Sequence, residues 1–146
     1  SESFFHISPR VLSSSFQLIN LPIGTALCLD LDKPLIYPRK TAKSYGTGKD
    51  IEGRWSIGQT AVVIDDLITS GDSLLETIAT VKAAGLKVHD TAVLIDREQG
   101  GREMLAEQGY VLHAVMSLRQ LLEMLVVHDR LTYYQRREVL SSLNLA

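Results

Sequence analysis

A single cysteine, Cys28, is all the thiol chemistry this chain has, so no internal disulfide can form. It sits in the apolar run Ala26-Leu27-Cys28-Leu29 and reads as a buried, inert thiol rather than a nucleophile. No apolar run is long enough to span a bilayer, and no basic-then-apolar segment opens the chain, so a soluble, cytoplasmic protein in reducing surroundings is expected. Excess charge is lacking as well: 15 Lys and Arg against 17 Asp and Glu leave a net charge of -2. That excludes broad electrostatic capture of nucleic acid and leaves any bound anion to local groups. The four histidines, His6, His89, His113 and His128, lack ligand-like spacing and read as structural. No repeat, low-complexity segment or linker divides residues 1–146, which are read as one domain. A chain of this length removes roughly 68–70% of its unfolded surface from water.

What the chain does have is concentrated in residues 60–73. Ala61 to Ile64 are continuously apolar and largely β-branched, as a parallel strand covered on both faces requires. Asp65 and Asp66 follow, then two apolar spacers, then Thr69-Ser70-Gly71-Asp72-Ser73, then the helical pattern from Leu74. Hydroxyls, backbone N–H groups and a glycine just ahead of a helix make an anion cradle, and open α/β sheets place ligands at the carboxyl ends of strands. A lone acidic pair near a turn is usually a strand end or a cap. The whole order argues for a phosphate-and-sugar site instead. A Walker-type loop is excluded because Asp72 stands where its Lys belongs, and the three spaced glycines of a dinucleotide fingerprint are absent.

Around this motif the periodicity alternates. Helices are expected over 11–19 and 22–31, a short strand over 34–37, and a polar, glycine-bearing loop over 39–58. A helix over 73–84 closes at Gly85, a strand spans 88–95, and a helix covers 101–108. A strand over 110–115, a helix over 118–127 capped by Ser117, and an amphipathic helix over 131–143 complete the pattern. Tyr133, Tyr134, Arg136 and Arg137 are assigned to the polar and apolar faces of that last helix rather than to RNA contact. Strands alternating with helices give an α/β fold with a mainly parallel sheet.

The loop after 34–37 contains Pro38-Arg39-Lys40-Thr41-Ala42-Lys43-Ser44-Tyr45-Gly46-Thr47-Gly48, three cations within five residues. Such a run is most often a solvated face. Here it follows a strand's carboxyl end, as the acidic pair does, so both can border one crevice.

The strand, acid pair and hydroxyl-glycine loop resemble the phosphoribosyl-pyrophosphate (PRPP) motif of type I phosphoribosyltransferases. The basic loop leading to Ile51-Glu52-Gly53 resembles the catalytic loop of the orotate phosphoribosyltransferase family. Val93-Leu94-Ile95-Asp96-Arg97-Glu98-Gln99-Gly100-Gly101 is similar to the segment that carries an orotate-contacting arginine in that family. The resemblance runs from Leu21 to about Leu143 and is nearest to the orotate phosphoribosyltransferase portion of UMP synthases.

The resemblance implies the type I fold, and transfer of the ribosyl 5-phosphate group of PRPP to orotate with release of pyrophosphate. Arg39, Lys40, Lys43, Tyr45, Asp65, Asp66, Thr69, Ser70, Gly71, Asp72 and Ser73 are then PRPP-binding. Lys43, Asp65 and Asp66 are catalytic, and Arg97 with Thr69 meets orotate. Mg²⁺ is implied as cofactor, held mainly by PRPP rather than directly by the protein. A homodimer sharing the Lys43 loop is implied, with an orotidylate decarboxylase as fused domain or partner, and no nucleic acid or membrane. For Arg97, the competing expectation is a surface ion pair with Asp96 or Glu98.

Departures from the family pattern give further expectations. Tyr45 stands where many members have histidine, and Thr41 where a glutamate is common. A strand and its ligand loop are expected to be lacking between Asn20 and Leu21, and the N-terminal hood to be reduced or missing. A chain without them could be a degenerate or truncated PRPP-binding module with no transferase activity, the alternative that stands beside the enzyme.

Overall fold

Val11 and Leu12 point to opposite sides of a strand, and each finds its own core. In the computed structural model, which describes residues 10–14, 20–39 and 51–145, β1 (Arg10–Ser14) lies inside a six-stranded sheet of order β3-β2-β1-β4-β5-β6. The other strands are β2 (Leu35–Pro38), β3 (Ile51–Gly53), β4 (Thr60–Ile68), β5 (Lys87–Asp96) and β6 (Val111–Ser117). The helices are α1 (Asn20–Leu31), α2 (Asp72–Ala83), α3 (Gly101–Glu107), α4 (Leu118–Val127) and α5 (Tyr133–Ser142).

Every pairing is parallel except β2 with β3. The carboxyl ends of β1, β2, β4, β5 and β6 therefore share one edge of the sheet. The chain goes from β1 through α1 to β2 on one side, and from β4 through α2 to β5 on the other. These crossovers run in opposite directions and put the two helices on opposite faces. Leu12, Val62 and Ile64 pack with Cys28 of α1. Val11, Ala61 and Val63 pack with Leu74, Ile78 and Val81 of α2. Each of the Val and Ile side chains so buried is worth about 1.5–3 kcal/mol. Alternation along β4 thus feeds two cores, which is why its sequence is apolar at every position from Ala61 to Ile64.

Three sequence expectations are corrected. The helix over 11–19 is a strand in its first part, because Leu12 and Ser13 align with Val62 and Val63 of β4 and with Leu35 and Ile36 of β2; residues 15–19 lie outside the described ones. α1 begins at Asn20 rather than Pro22, and β1 lies ahead of Asn20 rather than between Asn20 and Leu21. Within the loop over 39–58, Ile51–Gly53 pairs antiparallel to β2 and forms an edge strand. Residues 1–9, which bear on the expected hood, are outside the described ones.

At the far end, Ser117 and Thr132 each close a capping box with the glutamine three residues on. Tyr133 and Tyr134 are exposed rather than packed, and Arg136 joins α5 to α4 by a 3.0 Å contact with Glu123. His113 is paired with Asp90 across β5 and β6 at 2.9 Å, a structural role. Among the described residues no helix is long and apolar enough to cross a membrane.

Candidate functional site

The sheet reverses its order between β1 and β4, and there an open α/β sheet leaves a crevice at the strands' carboxyl ends. β4 runs four residues past Ile64, its pairing with Ser14, so Asp65 and Asp66 lie within the strand rather than after it. The two acids differ. Asp65 is 2% exposed, whereas Asp66 is partly exposed. Asp65 Oδ1 accepts the Nδ2–H of Asn20 at 2.5 Å and the N–H of Asp66 at 2.9 Å. Asp66 Oδ1 accepts the N–H of Leu67 at 2.9 Å.

Beyond Ile68 the chain turns through Thr69 and Ser70 into Gly71, whose φ of 94° is left-handed and suits glycine. Gly71 caps α2 and has no side chain to bond the helix's first N–H groups. The only carboxylate in that first turn, Asp72, is turned aside: its Oδ2 accepts the Ser70 hydroxyl at 2.6 Å. The N-terminal end of a twelve-residue helix, with its positive dipole and backbone donors, is therefore left to an anion. Ser73 follows, exposed, in the first turn.

The Arg97 segment is fastened to this loop. Arg97 N–H donates to the Ile68 carbonyl at 3.0 Å, which extends the β4–β5 contact one residue past the end of β5. Asp96, 5% exposed, accepts the Glu98 N–H at 2.9 Å and Arg102 Nε at 3.0 Å. Arg102 reaches on to the Leu112 carbonyl at 2.9 Å. Glu98 holds φ of 57°, an uncommon value for a side-chain-bearing residue, and pairs with Arg119 at 3.5 Å. Both carboxylates that a surface ion pair of Arg97 would use are thus engaged by other arginines.

Of the basic loop, Arg39 is described, and it pairs with Glu52 on β3. Lys40, Lys43 and Tyr45 lie outside the described residues. The structure therefore brings together Asp65, Asp66, Thr69, Ser70, Gly71, Asp72, Ser73 and the backbone of Arg97. It places Arg39 at the end of β2 on the same sheet edge.

Sequence reasoning missed Asn20 and the packing role of Gly101. The partner of Asn20 is 45 residues away, so local spacing gave no signal, although a polar residue opening an apolar helix is one. Among the described residues no group of three or more His, Cys, Asp or Glu gathers as a metal cage.

Residues 21–108 match the family of the phosphoribosyl transferase domain. The chain is 43% identical over 106 residues to a bifunctional enzyme PyrF/PyrE of a Nostoc species, covering 73% of this chain and 22% of that one. It is 36% identical over 103 residues to an orotate phosphoribosyltransferase of Pyrococcus furiosus, covering 70% of this chain and 57% of that one. The solved UMP synthase of Leishmania donovani superposes with a TM-score of 0.84 at 34% identity, covering 97% of this chain and 30% of that one. The chain thus spans less than two thirds of the length of each of these relatives.

Proposed function

The chain belongs to the phosphoribosyl transferase family, and on that footing we propose that it moves the ribosyl 5-phosphate group of PRPP onto a ring nitrogen of orotate. The products are orotidine 5′-monophosphate and pyrophosphate, a step of pyrimidine biosynthesis. The six-stranded, mostly parallel sheet is the type I phosphoribosyltransferase fold. One observation carries the reading: the acid pair, the uncapped start of α2 and the Arg97 segment meet at one edge, tied by the bond from Arg97 to Ile68. Relatives named for orotate transfer support the choice of base.

In this reading the bond from C1′ to the pyrophosphate oxygen breaks as a bond from the orotate nitrogen to C1′ forms. Positive charge builds on the ribose ring and negative charge on the departing oxygen. The backbone N–H groups and hydroxyls of Thr69, Ser70, Gly71 and Ser73 hold the 5′-phosphate. Asp72, drawn to Ser70, keeps its charge off that cradle. Asp66 accepts from the ribose hydroxyls, and the acid pair offsets the cationic ring. Lys43, Lys40 and Arg39 meet the pyrophosphate, with Tyr45 beside them, and Arg39 exchanges Glu52 for substrate. Arg97 and Thr69 orient the anionic base. Fixed cations at a leaving group of this kind are worth several kcal/mol of barrier, roughly 3–4 by comparison with single oxyanion donors.

Mg²⁺ would be held mainly by the phosphate oxygens of PRPP rather than directly by the protein. Two adjacent carboxylates do not make an all-protein cage, and Mg²⁺ commonly keeps phosphate oxygens and waters as ligands. The same reading places the protein in the cytoplasm, as a homodimer whose 39–48 loops serve neighbouring sites. An orotidylate decarboxylase, fused or separate, consumes the product, and the bifunctional relative supports that pairing.

The test is release of pyrophosphate from PRPP, dependent on orotate and Mg²⁺. Lys43→Ala should abolish turnover while PRPP binding persists. Faster turnover with a purine base would overturn the choice of orotate, and binding without turnover would leave the degenerate module.

A further inference from the structure

Asn20 is completely buried at the first turn of α1, beneath the crevice where the sheet changes direction. Its stripe along the helix, with Gly24 and Cys28 at four-residue intervals, is the face turned to the sheet. A carboxylate only accepts, so the group that Asn20 presents to Asp65 must be its NH₂. The contact is 2.5 Å and shielded from water, which makes it a charge-assisted hydrogen bond of the stronger kind. A lysine or arginine in this place would hold Asp65 too, but would cancel its charge. An amide fixes the carboxylate and leaves the charge in the site.

We propose that Asn20 is a positioning residue that holds the Asp65 carboxylate beneath the ribose without neutralising it, while Asp66 makes the direct contacts with the ribose hydroxyls. The proposal rests on the transferase reading above and divides the labour of its acid pair. Asp65, 2% exposed and bonded to Asn20 and to the Asp66 N–H, supplies negative potential to a ring that becomes cationic. Asp66, partly exposed, supplies the ligand-facing oxygen. The bond from Asn20 also locks the start of α1 to β4, so the acid cannot swing when PRPP arrives.

The division predicts different kinetic signatures for the two acids. Asn20→Ala should lower kcat about tenfold with the KM for PRPP changed less than about twofold, because the lost interaction serves the transition state. Asp66→Asn should raise the KM for PRPP instead. Asn20→Asp sets two carboxylates against each other and should lower the melting temperature. The exchange variant Asn20→Asp with Asp65→Asn restores one donor and one acceptor, so it should recover the melting temperature but not kcat, since the charge now sits on α1. Asn20→Ser keeps a donor and should fall between wild type and Asn20→Ala; it serves if the alanine variant does not fold.

Full kcat in Asn20→Ala or Asn20→Ser, or recovery of kcat together with stability in the exchange variant, would overturn the positioning role. Wild-type turnover is measured first. Its absence overturns the transferase reading and the kinetic role with it, whereas wild-type turnover beside an unaffected Asn20→Ala overturns the positioning role alone.

Discussion

Gly101 stands against Ile68 so closely that a Cβ there would lie 2.6 Å from Cγ1 and 2.7 Å from Cδ1 of the isoleucine. It would also meet the Thr69 carbonyl. The start of α3 thus uses the absence of a side chain to press the loop after β4 into place. Overpacking of this kind costs about 1–3 kcal/mol, so Gly101→Ala should lower the melting temperature by several degrees. Because the contact is with the loop proposed to hold the 5′-phosphate, the KM for PRPP should rise as well. Thermal melts and initial rates against PRPP check both.

Arg102 is expected to matter without touching substrate. It brackets Asp96 and the Leu112 carbonyl, and Asp96 in turn holds the Glu98 N–H. Arg102→Ala leaves a buried carboxylate short of a charged donor, a loss of about 1–3 kcal/mol in stability. The freed segment should raise the KM for orotate more than that for PRPP, which steady-state kinetics with each substrate varied will show.

Arg97 itself should be separable from the PRPP site. Losing one charge-assisted contact to an anionic base costs about 1.5–3 kcal/mol, so Arg97→Ala should raise the KM for orotate tenfold or more. PRPP binding measured by calorimetry should be little changed. An equal loss for both substrates would point to collapse of the loop instead.

Cys28 gives an expected pH signature. Burial pushes its thiol above the ordinary value of 9.0 because the thiolate is desolvated. In the unfolded chain the thiol ionises first, so the native state holds more protons as pH climbs past that value. Stability should therefore be insensitive to this group below pH 9.0 and fall above it, levelling off only beyond the higher native value. Cys28→Ser removes that dependence, as alkaline melts of the two proteins will show. Alkylation of the native thiol at pH 8 should be slow and become fast in denaturant.

Much of this was legible from the chain alone, for reasons that particular residues make plain. Leu74, Ile78 and Val81 repeat with the helical period and form the buried face of α2. Ala61 to Ile64 read as a doubly covered strand, and both cores are there to cover it. Ser117 was a visible cap. By contrast, Val11 and Leu12 lead into serines with no alternation, and only ladders to β2 and β4 on either side make that segment a strand. Local propensity could not see those partners, which lie more than twenty residues away along the chain. Asn20 escaped for the same reason: its meaning is set by Asp65 across the sheet. The acidic pair was read as one site, but its unequal exposure was not foreseen, because two neighbouring aspartates look alike until the sheet buries one of them.

The place of β1 in the sheet has a mechanical meaning. Arg39 sits at the end of β2, while the acids, the cradle and Arg97 belong to β4, α2 and β5. Among the described strands, these two groups are joined by the five residues of β1 alone, the shared neighbour of β2 and β4. Until that short strand inserts, no ladder joins β2 and β3 to β4, β5 and β6, and the two parts meet through their packing with α1 and α2 instead. In the transferase reading, a substrate spanning both parts favours the assembled sheet and so acts as a clamp across β1.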